Sequence, residues 1–297
     1  MSFATLPYRL KLIWKLITNF KETCRVAYIR KTIPLLIDAA KSLDYLSQKE
    51  LVTYPFKIAD NCYLGGVFTH ESARPNCRPI EVHLFQFDKF VKHATPDVYC
   101  KCTPMAIAYT SDTKNFIITN DLLVALSNRK EVVAQMLVKA IFAHELGHIE
   151  NPSTIIVGDN PNYDCVLQGE LLADTTLYYS GNDPKNLYYN VMVLGLYALN
   201  ATMTPSTSKC ALDRLYNLAY WIYTANLPIG ATPMHAEGSD TEIGKKIYNM
   251  LLETTTDECF YPIKRSFSKN AAVEWHIGMV YLMQKYLKPD DLKIVEA

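Results

Sequence analysis

Ala143-His144-Glu145-Leu146-Gly147-His148, inside the run Glu131 to Glu150, is the stretch on which the reading of this chain turns. Val132, Val133, Met136, Leu137, Ala140 and Ile141 recur at helical spacing ahead of it, so the run predicts one amphipathic helix. Asn128, with Glu131 three residues on, supplies a start signal, and Asn151-Pro152 a stop. On such a helix His144 and His148 project from one face a turn apart, so two imidazoles can share one metal ion. Glu145 stands beside them, placed to handle a water on that metal. Two histidines on a helix are weak by themselves, and a second feature has to support them.

That feature is Gln168-Gly169-Glu170-Leu171-Leu172-Ala173-Asp174. Glu170 follows His148 by twenty-two residues, and Asp174 lies four beyond it, so both carboxylates share a helix face. Acidic pairs at this spacing are usually a solvated face. Behind the two histidines they have a sharper use, because a hydrolytic zinc site takes three protein ligands and keeps a fourth position open. Glu170 completes a His-His-Glu set, and Asp174 is placed to accept the free ring N–H of His144, fixing its tautomer. Ala173 keeps the packing face small, so the two helices can approach closely.

H-E-L-G-H followed by Glu-x-x-Ala-Asp resembles the gluzincin metallopeptidases, especially the HtpX and CAAX-prenyl-protease-like group. That resemblance implies a substrate-binding edge strand and hairpin just before the metal helix. Here they would be Met105-Ala106-Ile107-Ala108-Tyr109, a turn at Ser111 to Lys114, and a strand from Phe116 to Leu123. Met105 stands where the family has Asn, and Asp121 where it has Gly. The likeness covers Pro104 to Asp174 and little beyond. It also implies an oxyanion-stabilising residue downstream, for which His235 after Thr232-Pro233 is the first choice and Lys246 and Tyr188 are alternatives. Relatives in the group often carry transmembrane helices, and none is expected here.

The 297 residues can bury a large core, and 49 % hydrophobic with 20 % charged content marks a globular protein. A formal net charge of zero gives no general attraction to nucleic acid, so none is expected as a partner. Eight scattered cysteines with no cleavable signal ahead of them fit a reducing, cytoplasmic setting. Cys100-Lys101-Cys102, with Cys77, His83 and His93, matches no standard zinc spacing and reads as free thiols and structural histidines.

Residues 1–31 hold seven bases against one acid, with Leu10, Ile13, Trp14, Ile17 and Phe20 as an apolar stripe. We read this first as a surface helix covering the catalytic domain with its stripe. The other use of such a helix is contact with an anionic membrane surface or a partner protein. A second helix is expected over Ile33 to Leu46, and short strands and loops over residues 51–103. After Asp174 the uncharged run 186–208 predicts a buried helix, its apolar core being too short for a bilayer. Further helices are expected at 209–226, at 240–253 behind Ser239 and Glu242, and at 270–287.

Together these readings predict an α+β chain. Residues 1–50 form a basic helical N-terminal segment. Residues 51–297 form a mostly helical, zincin-like domain with a small mixed sheet, whose edge strand precedes the metal-binding helix. The expected activity is zinc-dependent peptide-bond hydrolysis with one zinc per chain. His144, His148 and Glu170 are the ligands, Glu145 the general base, Met105 to Ala108 the substrate strand, and peptide or protein the substrate. Two rival uses stand beside it: a silent zincin-fold binding protein, for which Glu145 has no purpose, and a membrane-surface adaptor working through residues 1–31.

Overall fold

The computed structural model describes residues 8–47, 56–59, 62–70, 78–85, 106–110, 114–119, 121–151 and 167–174, together with Arg214, Val273 and Ile277. Within them the chain runs α1 (Tyr8–Arg30), α2 (Thr32–Lys41), β1 (Tyr45–Ser47), β2 (Phe56–Ala59), β3 (Cys62–His70) and β4 (Ile80–Phe85). It continues through β5 (Ala106–Thr110), β6 (Asn115–Thr119), α3 (Asp121–Ser127) and α4 (Val132–Glu150), and residues 167–174 are again helical. The class is α+β with a small mixed sheet.

Six strands form the sheet in the order β1-β3-β4-β6-β5, with β2 pairing beside β1 along the long strand β3. Every pairing is antiparallel except β4 with β6. β6 buries alternate residues, Asn115, Ile117 and Thr119, as a strand with one face on a core does. β5 pairs Ala106 with Thr119 and Thr110 with Asn115, and it closes the sheet's far edge among the described residues. The expected hairpin is therefore present as two strands, although β6 ends at Thr119 rather than running to Leu123. From Asp121 the backbone turns helical, and Leu122, Leu123, Val124 and Leu126 are buried. A helix buries such a continuous apolar run all round, where a strand would show it alternately to two faces.

α4 is the axis of the packing. It meets α2, α3 and β5, and its Phe142 ring lies 5.7 Å from that of Phe68 on β3. Every residue from Ala140 to Ile149 is buried. The helix expected to be amphipathic is thus enclosed nearly all round. By length and hydropathy it is also long and apolar enough to cross a membrane, but 67 % of that window is buried inside the fold. Asn128 does not cap it. The Asn128 amide donates to Tyr28 O at 3.0 Å and Val124 O at 2.8 Å, so the residue closes α3 and ties it to α1. Glu131 occupies the N-cap of α4 with extended backbone and no side-chain cap bond.

α2 ends at Lys41, short of the expected Leu46, because the chain turns through Asp44 with φ of 58°. That left-handed conformation suits the short polar side chain of Asp and cannot continue a helix. Tyr45 then starts β1, which pairs with β3, so one sheet spans the boundary expected at residue 50. Buried Thr32 and Ser127 share a 2.6 Å hydroxyl contact that joins the start of α2 to the end of α3.

The apolar stripe of α1 does not cover the domain. Leu10, Ile13, Trp14, Ile17 and Phe20 are 43–70 % exposed, and only Val26 and Ile29 near the helix's end are buried. The expected helices at 186–208 and 240–253 lie outside the described residues. Arg214 within the expected 209–226, and Val273 and Ile277 within 270–287, are helical and buried.

Candidate metal centre

α4 supplies His144, Glu145 and His148, and the helical residues 167–174 supply Glu170 and Asp174. Both pairs at a spacing of four face one another, and Gly147, Leu167, Leu171 and Ala173 beside them are buried. His144 and His148 are 5 % and 8 % exposed, and Asp174 is fully buried.

The donor atoms of His144, His148 and Glu170 all lie within 4.8 Å of one another. His144 Nε2 is 3.2 Å from His148 Nε2 and 3.2 Å from Glu170 Oε2, while His148 Nε2 is 3.6 Å from Glu170 Oε1. Nitrogen and oxygen ligands at roughly 2.0–2.1 Å around a tetrahedral zinc stand about 3.3 Å apart. The cage therefore has the dimensions of a three-ligand metal site, and the group can hold a metal ion. The Glu170 side chain keeps 27 % exposure, so the cage has a side open to solvent.

Behind the cage, His144 Nδ1 lies 2.9 Å from Asp174 Oδ1, yet it has no hydrogen-bond partner of good geometry. The contact is a close charge pairing set off the ring N–H axis. Arg214 stands behind Asp174. Its Nε donates to Oδ2 at 2.7 Å and its Nη2 to Oδ1 at 2.7 Å, a two-pronged grip, while Nη1 reaches Glu170 Oε2 at 2.8 Å. One guanidinium thus holds both acids. Sequence reasoning missed Arg214. The available signal was electrostatic: two acids enclosed beside two histidines call for a buried cation, and 209–226 is the next segment expected to be helical that carries bases.

The titration behaviour follows from these partners. Burial disfavours charge on His144, but Asp174 and then Glu170 outweigh it and lift its pKa to about 10. Burial works against ionised Glu170 as well, and Arg214 with the two histidines nevertheless holds it well below the ordinary carboxylate range. Asp174 is depressed in the same way, with Arg214 and His144 overcoming burial. The cavity between the carboxylates is built to hold positive charge. Glu145 differs: burial pushes it up, the histidines only partly oppose this, and its carboxylate accepts a hydrogen bond from the Ala108 backbone. Glu145 therefore touches β5, which ties the metal-cage helix to the edge strand.

His144, Glu145, His148, Glu170 and Asp174 come together in one place, with Ala106 and Ala108 of β5 on the neighbouring edge. Met105, His235, Lys246 and Tyr188 lie outside the described residues, as do Cys77, His93, Cys100 and Cys102. His83 does not join the cage; its Nε2 lies 3.2 Å from Glu81 Oε2 on the same strand. No family model, curated protein or solved structure matches the chain, so what this centre does rests on its own geometry.

Proposed function

We propose that the protein is a zinc-dependent endopeptidase with a zincin-like catalytic domain. The observation that carries the reading is the spacing of the His144, His148 and Glu170 donor atoms, with Glu145 beside them but outside the ligand set. Zinc is the metal this His-His-carboxylate set favours, and when bound it would supply a Lewis acid able to acidify a water and polarise a carbonyl. The chain's own residues account for the rest. His144, His148 and Glu170 hold the metal. Asp174 pairs with the Nδ1 side of His144 and keeps its Nε2 turned inward, and Arg214 keeps Asp174 ionised and Glu170 aimed.

Glu145 takes the proton of the attacking water and delivers it to the leaving amine. Its raised pKa, caused first by burial, suits a group that must both accept and give up a proton. An extended peptide would pair with the free edge of β5, where backbone bonds give grip independent of sequence. The link from Ala108 to Glu145 fixes where that strand sits relative to the base. His235 is proposed as the oxyanion partner.

Metal analysis of the purified chain and cleavage of an unfolded protein substrate, compared for wild type and Glu145→Gln, test this reading. Gln keeps the shape of Glu without its basicity. The variant should retain the metal and lose roughly 10²–10⁴-fold in rate, the usual cost of general acid–base loss. A wild type without zinc, or a Glu145→Gln variant that cleaves as fast as wild type, would overturn it.

A further inference from the structure

The first three turns of α1 lead away from the domain. Residues 12–21 are exposed, and partial burial begins at Glu22 among the described residues. From there the inward line is marked by buried Val26 and Ile29, while Thr23, Cys24 and Ala27 face out. At 3.6 residues per turn, Leu10, Ile13, Trp14, Leu16, Ile17 and Phe20 spread over an arc of roughly 160°, centred opposite the Val26–Ile29 line. On the inward line of these early turns stand Lys15 and Thr18. The apolar face is therefore turned outward, and Phe20, at 70 % exposure, is its most open member.

Charge selects the occupant. Residues 1–31 carry seven of the chain's 30 bases and one of its 30 acids, so the remainder of the molecule is net negative. The single acid, Glu22, is turned to the body, where Tyr63 Oη donates to it at 2.9 Å and Lys57 Nζ approaches to 4.0 Å. The protruding turns present bases alone. Pairing two copies of this helix face to face would set like charges together. An anionic lipid surface satisfies both features, with the apolar arc entering the acyl boundary and the lysines meeting headgroups.

We propose that the N-terminal half of α1 is an in-plane anchor that docks the protein on anionic membrane surfaces. The proposal is independent of the peptidase reading.

Flotation of the full-length protein with phosphatidylcholine vesicles, with and without phosphatidylserine, tests it. Binding should require phosphatidylserine and weaken as salt screens the headgroups. Ile17→Glu with Phe20→Glu should lower the bound fraction at least about tenfold, since two charged groups would have to enter the apolar boundary. Lys21→Glu, which reverses the base on the apolar side of the helix, should lower it by at least about fivefold, each base near such a surface being worth about fivefold. Because Ile17, Phe20 and Lys21 are exposed, both variants, Ile17→Glu/Phe20→Glu and Lys21→Glu, should melt at the wild-type temperature. Equal binding to neutral vesicles, no binding to either, or undiminished binding by Ile17→Glu/Phe20→Glu would overturn the proposal. So would a wild-type dimer in lipid-free solution that Ile17→Glu/Phe20→Glu converts to monomer, which would assign the face to a second copy.

Discussion

Asp174 has no contact with water, and both its oxygens are taken by one guanidinium. Such a pair adds little net stability compared with apolar side chains of like volume, but removing one member leaves a buried charge unpaired. Arg214→Ala should therefore cost about 3–5 kcal/mol by denaturant titration. Arg214→Lys should recover only part of this, because an ammonium cannot reproduce the fork on two oxygens. Arg214→Met combined with Asp174→Leu should be more stable than Arg214→Met alone, and yet bind metal at least roughly ten- to a hundredfold more weakly than wild type, having lost the carboxylate beside His144. Equal metal affinity in that double variant would reduce the pair to a packing device. The pairs His144/His148 and Glu170/Asp174 were legible in the sequence because each spacing is local: four residues along a helix is one face. Arg214 was harder to read, because Asp174 lies forty positions before it and no local spacing joins the two.

At the scale of elements, the sequence announced the hairpin and the central helix but misplaced their ends. The expected second helix ran to Leu46 because Leu43 and Leu46 continue its apolar pattern, whereas the backbone reverses at Asp44. The strand expected to reach Leu123 stops at Thr119 because an uninterrupted apolar run looks the same in a buried strand and a buried helix. Asn128 was a plausible cap for the helix after it and proved to serve the one before. β3 carries a feature that only tertiary contact explains. A Cβ on Gly65 would lie 2.7 Å from Leu84 Cδ1 and 2.8 Å from its Cγ, next to the register shift between Leu64 and Gly66. Leu84 is fully buried and has little room to give. Gly65→Ala should cost about 1–3 kcal/mol by overpacking, measured as a shift in denaturation midpoint. Adding Leu84→Ala should cost less than the sum of the two single changes. Additive costs would mean that the two positions do not meet.

Over the whole molecule, the α+β class followed from the order of strand-like and helix-like segments, and the small sheet with its edge strand from the family resemblance. The outward turn of the α1 stripe did not, since a helical stripe shows that a face is apolar and not what it faces. His144, His148 and Glu170 join α4, the axis of the packing, to the helical residues 167–174, so a metal held by them would be linked to folding. At a free metal concentration about a thousandfold above the dissociation constant, that link is worth about 4 kcal/mol. Chelation should therefore lower the melting temperature by roughly 8–16 °C, at about 2–4 °C per kcal/mol for a chain of roughly this size. His148→Ala should melt at one temperature with or without chelator. A wild type equally indifferent to chelation would show that the cage holds no metal that matters to the fold.

The reach from Asp174 to Arg214 also sets an order in time. A chain growing from its N-terminus exposes His144, His148 and Glu170 before the residue that grips the acids exists, forty positions beyond Asp174. Until Arg214 has been synthesised and docked, Asp174 has no guanidinium to carry it into the interior, and Glu170 is not aimed at the histidines. The centre thus waits on Arg214, and a chain stopped between Asp174 and Arg214 contains His144, His148 and Glu170 without the clasp that holds the acids in place.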